Sequence, residues 1–145
     1  MRSNMSLDEV IKLIKGCASQ MNILYEGVVF DEWTVLHLAK GKGKLLSYVG
    51  PRQADFQKNF LSDADALRAE LLSSEHGNGD FEFARHGGGT RFDAFMVLGD
   101  GIILICNNTG QSMNEITKNT RWLSAQVPFV DLSDKFRSNP VKLPA

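Results

Sequence analysis

The stretch that decides the fold is DFEFARHGGGTRFDAFMVLGDGIILICNN, residues 80–108. Its apolar and aromatic residues form three runs, near 80–86, 90–99 and 101–108. Short runs of this composition, separated by glycine-containing segments, are typical of β-strands. The Asp-Gly pair at 100–101 joins the last two runs, and such a pair between apolar runs is a strong hairpin signal. The stretch therefore predicts a meander of three strands.

A helix and a hairpin precede the meander. Ser6 followed by Glu9 has the spacing of a capping box, and apolar residues then recur at helical spacing over about 6–22. From 28 to 39, β-branched and aromatic residues alternate as in a strand that is covered on both faces. The glycines of KGKGK then favour a turn into a shorter strand at 45–50. This part predicts one helix followed by two paired strands.

A second helix is predicted between the hairpin and the meander. The Gly50-Pro51 pair ends the preceding strand, because proline cannot donate to a ladder of hydrogen bonds. Ser62 is a suitable N-cap, and the apolar positions that follow include Leu67, Leu71 and Leu72. The long connection at 50–63 precedes this helix.

The chain ends in a helical region after the meander. Ser112 and Glu115 repeat the capping-box spacing. Pro128 is expected to interrupt the helix, with FVDLSDKFR continuing as a second, kinked piece. The pattern predicts one domain over 1–137 and a poorly ordered tail over 138–145. The predicted order is α-β-β-α-β-β-β-α, and five mainly antiparallel strands with helices on their faces form an α+β domain.

The composition is that of an ordinary globular protein. The 145 residues are 43% hydrophobic and 23% charged, and the formal net charge is -1. A charge so close to zero, with no extended basic patch, argues against a nucleic-acid partner. No apolar run reaches the roughly 20 residues needed to cross a bilayer, and the N-terminus lacks the apolar core of a secretory signal. We therefore expect a cytoplasmic protein without membrane insertion.

The string His86-Gly87-Gly88-Gly89 has two interpretations. In lipases and esterases a triple-glycine loop builds an oxyanion hole beside a serine on a G-x-S-x-G turn. This chain contains no G-x-S-x-G sequence. The glycines are better explained as the reversal between two strands of the meander, because glycine tolerates positive φ. A small hydrolase that uses residues 86–89 is therefore the last of the functional alternatives.

No other pattern supplies catalytic chemistry or a cofactor site. The three histidines, His37, His76 and His86, have no second histidine or cysteine two or four residues further along, so no metal is expected. The two cysteines, Cys17 and Cys106, lie in apolar runs, which favours buried thiols over a nucleophile. The sequence therefore predicts a protein that is not an enzyme and needs no cofactor.

The order of elements resembles the Roadblock/dynein light chain family, which has a profilin-like fold. The resemblance spans about 6–136 and rests on three stretches: WTVLHLAKGKGKLLSYVG as the first hairpin, DADALRAELLSS as the middle helix, and the meander at 80–108. The 50–63 connection and the proline in the last helix depart from the family pattern.

The resemblance implies a dimer in which the third strands pair edge to edge and the middle helices pack together. An independent reason points the same way, because the strand near 80–86 would otherwise leave unpaired N–H and C=O groups at a sheet edge. The candidate contacts are Phe81, Phe83 and Arg85 on the strand, with Leu67, Leu71 and Leu72 on the helix. Alternatively, these leucines pack on the chain's own sheet.

The resemblance also implies a regulatory function, since bacterial Roadblock-like proteins bind small Ras-like GTPases as scaffolds or activators. The arginines Arg52, Arg85, Arg91 and Arg121 are candidates for contact with a GTPase, and the sequence does not choose an arginine finger among them.

A different class of function stays open beside this one. The same strand and helix content occurs in ligand-sensing domains, which hold a small molecule between a sheet and a helix. Here Trp33, Phe95 and Trp122 would line such a pocket.

Overall fold

A computed structural model describes residues 5–39, 42–51, 76–86 and 91–142. Within these ranges the chain forms a five-stranded sheet and a set of helices. In chain order the elements are α1 (Leu7–Tyr25), β1 (Glu32–Ala39), β2 (Lys42–Val49), β3 (Phe81–His86), β4 (Arg91–Gly99), β5 (Ile102–Asn108), α2 (Met113–Lys118), α3 (Trp122–Ala125) and α4 (Val127–Ser138).

The strands form one sheet in the order β2-β1-β5-β4-β3. Every pairing between neighbours in this sheet is antiparallel. The α+β class and the five-stranded antiparallel sheet predicted from the sequence are therefore confirmed. The helix predicted from Ser62 lies outside the described residues, so the full predicted order is not shown.

The described helices pack on one face of the sheet, which we call the helix face. The core on this side consists of apolar side chains from α1, α3 and α4 and from alternate strand positions such as Val35, Met96 and Leu104. The strand positions in between point to the second face. They bury a smaller apolar cluster there: Leu36, Leu38, Phe95, Val97, Ile103 and Ile105. Side chains that alternate along a strand point to opposite faces, so two separate cores result.

The meander forms as its sequence predicts. Strands β3 and β4 pair from Phe81 opposite Met96 to His86 opposite Arg91, so the chain reverses between them. The glycines at 87–89 themselves lie outside the described residues. Between β4 and β5, Gly101 has φ +71°, and its carbonyl accepts a hydrogen bond from the Leu38 N–H at 2.7 Å. This conformation is one that glycine adopts readily, which explains the Asp-Gly signal.

Element boundaries differ from the sequence prediction at four places. Strand β2 begins at Lys42 rather than at 45 and is 8 residues long, as β1 is, so it is not the shorter strand that was predicted. Helix α1 continues to Tyr25, and Glu26 ends it in the left-handed region at φ 60°. Strand β1 begins at Glu32 rather than at 28, because the Val29 N–H donates to the Asn22 side chain at 3.0 Å and keeps this segment out of the ladder. The last helical region is divided already before Pro128, into α2, α3 and α4.

Capping explains where the helices start. The Ser6 hydroxyl accepts the Glu9 N–H, and the reciprocal capping box of Ser112 and Glu115 is complete. Pro128 lies in the first turn of α4, where no intrahelical partner for its nitrogen is needed. The predicted interruption and second helical piece are therefore observed, and Pro128 lies at the start of that piece.

The segment after α4 returns to the sheet. Val141, inside the range predicted as a tail, is 1% exposed, and its N–H donates to the Leu98 carbonyl at 2.8 Å. It also bridges to Met5 and to Gly99. The folded part of the chain thus extends at least to Val141, because this residue covers the end of β4.

Candidate functional site

Strand β3 is an edge of the sheet, as the sequence analysis expected. The Val97 N–H of β4 donates to the Asp80 carbonyl at 2.9 Å just before the strand begins. Because donors and acceptors alternate along a strand, the backbone groups of Phe81, Phe83 and Arg85 face away from β4. The candidate contact residues on the strand therefore share one row of outward backbone groups.

The side chains of Phe81 and Phe83 face the helix face and are half-buried. The Phe83 ring lies 5.1 Å from Trp122 and 5.2 Å from Phe129, measured between ring centroids. Phe81 meets Phe129 at 5.3 Å in an edge-on arrangement. These rings hold β3 against α3 and α4, so they fix the strand in place and leave the backbone as the part a partner could pair with.

The other edge strand, β2, is less suited to pairing. The β1–β2 register shifts between Val35 and Leu36, which marks a β-bulge. The β3–β4 register has no such shift over its six pairs. Bulges and lysines protect sheet edges, and β2 carries Lys42 and Lys44. Strand β3 is therefore the more regular of the two edges.

Several predicted contact residues cannot be compared with the structure. Leu67, Leu71, Leu72 and Arg52 lie outside the described residues, as do the side chains of Arg85 and Arg91. Arg121 is exposed, and its guanidinium lies 2.9 Å from the Glu26 carboxylate.

The three residues predicted to line a ligand pocket are not brought together. Trp33 and Trp122 belong to the core of the helix face, whereas Phe95 belongs to the cluster on the second face. The indole N–H of Trp33 donates to the Phe30 carbonyl at 2.9 Å, so this side chain is fully engaged in the core. The sheet itself separates the two tryptophans from Phe95.

The second face carries a row of buried polar residues that the sequence analysis did not single out. Glu32 on β1 lies opposite Asn107 on β5, and Asn107 lies opposite Asp93 on β4. All three are at most 6% exposed. Asn107 donates from Nδ2 to Glu32 Oε1 at 2.7 Å, and the Tyr48 hydroxyl donates to Glu32 Oε2. We call Glu32, Asn107 and Asp93 the polar row.

Two buried oxygens near this row have no hydrogen-bond partner, Oδ1 of Asn107 and Oγ1 of Thr34. Such an orphaned group costs about 1–3 kcal/mol of stability. The sequence signal for the row was weak. Glu32 and Thr34 share the alternation of Leu36, which places them on one face, but only the register of β1 with β5 brings Asn107 to them.

Asn108 has a role that is typical of an asparagine at the end of a strand. Its Oδ1 accepts the N–H groups of Gly110 at 2.8 Å and Gln111 at 2.6 Å, and its Nδ2 donates to the Val29 carbonyl at 2.8 Å. It therefore ends β5 and shapes the loop into α2. Asn107 does not share this role, since its side chain points to Glu32.

Both cysteines are buried free thiols. Burial raises the pKa of the Cys17 thiol to about 12, with Asp131 adding to the rise and Lys135 opposing it. Burial also raises the pKa of Cys106 well above its ordinary value. Cys17 lies at the base of an open groove of about 520 Å³ between α1 and α4. A thiol with so high a pKa is a poor nucleophile.

Neither a metal-binding cluster nor a membrane-spanning helix occurs among the described residues. No group of three histidine, cysteine, aspartate or glutamate side chains there is placed to hold a metal ion. None of the described helices combines the length and the apolar character that a membrane span requires.

Comparison with known proteins assigns no function to the chain. The chain matches no protein-family model and no curated protein.

Proposed function

We propose that the chain is a non-enzymatic interaction module that forms a homodimer through β3 and binds a small Ras-like GTPase. The observation that carries the dimer is the outer edge of β3, with which no other described strand pairs. Phe81 and Phe83 pack this regular strand against α4. Two copies related by a two-fold axis would pair these edges antiparallel, and this symmetry is the commonest for homo-oligomers. Pairing would satisfy the outward N–H and C=O groups of the strand.

The GTPase as partner follows from the resemblance to Roadblock-like proteins. The described elements run helix, two strands, three strands and helices along the chain, and the middle helix of the family order would fall in the residues that the structure does not describe. A sheet continued across two subunits would present a broad surface to such a partner. The role of the module would be to hold or regulate the GTPase, and no side chain is assigned to GTP hydrolysis.

The dimer is tested by light scattering with Arg85→Pro, using Arg85→Ala as the matched control. Alternation directs the Arg85 N–H outward, so proline at this position removes an edge donor without removing a bond to β4. The wild type and Arg85→Ala should have twice the 16.1 kDa mass of the chain, and Arg85→Pro should have the mass of one chain. A wild-type monomer at micromolar concentration would contradict the proposal. Substitution of Phe83 is less informative, because its ring also holds the core together.

The partner is tested by affinity capture from the source cells, followed by mass spectrometry. A Ras-like GTPase should co-purify with the wild type, and the purified pair should then bind directly. A GTP-hydrolysis assay on that pair distinguishes a scaffold, which leaves the rate unchanged, from an activator. Failure of every Ras-like GTPase of those cells to bind would remove this part of the proposal and leave the dimer standing.

A further inference from the structure

The open groove between α1 and α4 has an apolar floor and a charged rim. Leu13 and Cys17 of α1 and Leu132 of α4 lie along the floor. All three pack on the core of the helix face, which holds them in place. The volume of the groove, about 520 Å³, falls within the range of small-molecule sites, and the groove is open to solvent as it stands.

Charges of both signs lie on the rim of this groove. Lys12 of α1 and Lys135 of α4 supply ammonium groups, and Asp131 of α4 supplies a carboxylate. All three residues are exposed. Asp131 raises the pKa of the Cys17 thiol and Lys135 opposes the rise, so both charges lie close to the floor.

The rim charges form no ion pair with any other described residue. Asp131 and Lys135 are four residues apart on α4, a spacing at which opposite charges on a helix often pair. The ion pairs that α4 does form join Arg137 to Asp134 at 3.0 Å and to Asp80 at 3.5 Å. A carboxylate and an ammonium group beside the groove are therefore both available to a ligand.

Gly16 keeps the α1 side of the groove open. It lies in the interior of a helix of 19 residues, where glycine is unfavourable relative to alanine. A Cβ at this position would have no neighbour within 4 Å, so close packing does not explain the glycine. A longer side chain here would enter the groove, because Gly16 is one of its lining residues.

The rim and the floor together match a small ligand that carries both charges and an apolar body. We propose that the groove binds an α-amino acid with an apolar side chain. Its ammonium group would pair with Asp131 and its carboxylate with Lys135 and Lys12, while its side chain would lie on the apolar floor. A purely anionic ligand would meet the charge of Asp131, and a purely cationic one would meet two lysines, so the zwitterion is favoured over both.

This site is distinct from the proposed dimer edge and does not depend on it. Its residues come from α1 and α4, whereas the dimer would use the outward backbone groups of β3. It also differs from the pocket expected from the sequence, since Trp33, Phe95 and Trp122 do not line the groove.

The test titrates the isotope-labelled chain with L-phenylalanine and follows the backbone amides by NMR. The amides of Gly16 and Cys17 should shift saturably as the groove fills. Two analogues each lack one charge: 3-phenylpropionate has no ammonium group, and 2-phenylethylamine has no carboxylate. Each analogue should bind about fivefold more weakly than phenylalanine, because it loses the ion pair at one end.

Two variants of the chain locate the ligand. Asp131→Asn keeps the shape of the side chain and removes its charge, so it should weaken phenylalanine about fivefold without weakening 3-phenylpropionate. Asp100→Asn, in the turn between β4 and β5, is the matched control and should bind phenylalanine as the wild type does. Gly16→Leu fills the groove and should abolish binding, while its Tm should not fall, since leucine favours a helix more than glycine does.

Three outcomes would overturn the proposal. The first is the absence of saturable shifts at Gly16 and Cys17 in the wild type. The second is equal affinity for phenylalanine and either analogue, which means that the rim charges play no part. The third is wild-type affinity for phenylalanine in Asp131→Asn or in Gly16→Leu, which means that the amino acid binds elsewhere. If Gly16→Leu does not fold, Asp131→Asn and its control decide the location.

Discussion

Asn107 and Glu32 face each other across β5 and β1, and the Asn107 Nδ2 lies 2.7 Å from the Glu32 Oε1. Both side chains are almost wholly buried, at 1% and 0% exposure. A hydrogen bond to a buried carboxylate contributes more than a neutral one, and its loss leaves an oxygen without that donor. This side-chain hydrogen bond therefore links the central strand β5 to β1 in addition to the backbone hydrogen bonds between the two strands.

Asn107→Leu should lower the free energy of unfolding by about 2–3 kcal/mol, because Glu32 loses a donor in a buried place. Thr34→Val is the matched control on the same face. Its buried hydroxyl has no partner, so its removal should not lower stability and should raise it by about 1 kcal/mol. Urea unfolding of the three proteins measures both values. Equal losses for the two variants would show that the Asn107–Glu32 bond contributes nothing special.

The contrast between Asn107 and Asn108 shows how far the sequence could predict this region. The apolar runs predicted the strands, and the Asp-Gly pair predicted the hairpin at Gly101. Asn108 accepts hydrogen bonds from backbone N–H groups two and three residues further along, a local contact that is typical of an asparagine at the end of a strand. Asn107 binds Glu32, a residue whose proximity depends on strand register, and register between distant segments is not visible in a single sequence.

Gly50→Ala should destabilise the chain through the polar row. A Cβ at Gly50 would lie 2.8 Å from the Tyr48 hydroxyl oxygen and 3.0 Å from Glu32 Cγ. The Tyr48 ring then has to shift, which weakens its bond to Glu32. We expect the free energy of unfolding, measured in urea, to fall by about 1–2 kcal/mol. Gly110→Ala, whose added Cβ has no neighbour nearer than 3.9 Å, is the neutral control.

A double-mutant cycle with Tyr48→Phe distinguishes this cause from general crowding. If the Tyr48–Glu32 bond is what Gly50→Ala disturbs, the substitution should cost less in the Tyr48→Phe background. The same cost in both backgrounds would contradict this explanation.

Gly99→Ala should detach the C-terminal segment from the sheet. A Cβ at Gly99 would lie 2.0 Å from the Val141 carbonyl oxygen, which belongs to the backbone and cannot give way alone. Val141 would then lose its burial and its hydrogen bond to the Leu98 carbonyl. We expect the free energy of unfolding to fall by about 2–3 kcal/mol. Hydrogen exchange should show faster exchange of the Val141 amide. Gly16→Ala is the comparison on α1, where the added methyl meets open space and should stabilise by about 0.5–1 kcal/mol.

The docking of Val141 also marks a limit of the sequence analysis. The last residues carry two prolines and no helical pattern, which is typical of a tail. Their attachment depends on a glycine 42 positions earlier, since only a residue without a Cβ lets the two backbones approach so closely. Contacts of this kind arise from tertiary structure and leave no local signal.

The Cys17 thiol should make the chain less stable as the pH rises above 9. Its pKa is raised from 9.0 to about 12 in the folded chain, chiefly by burial. Between these values the unfolded chain releases a proton that the folded chain retains, so unfolding becomes more favourable by up to about 1.4 kcal/mol per pH unit. Below pH 9 both states hold the proton and this effect is absent. Urea unfolding at a series of pH values should show a shallower decline for Cys17→Ala than for the wild type. The smaller side chain also leaves a cavity, which lowers the stability of Cys17→Ala by the same amount at every pH. If stability falls equally steeply with pH in the two proteins, the Cys17 thiol is not the cause of the decline.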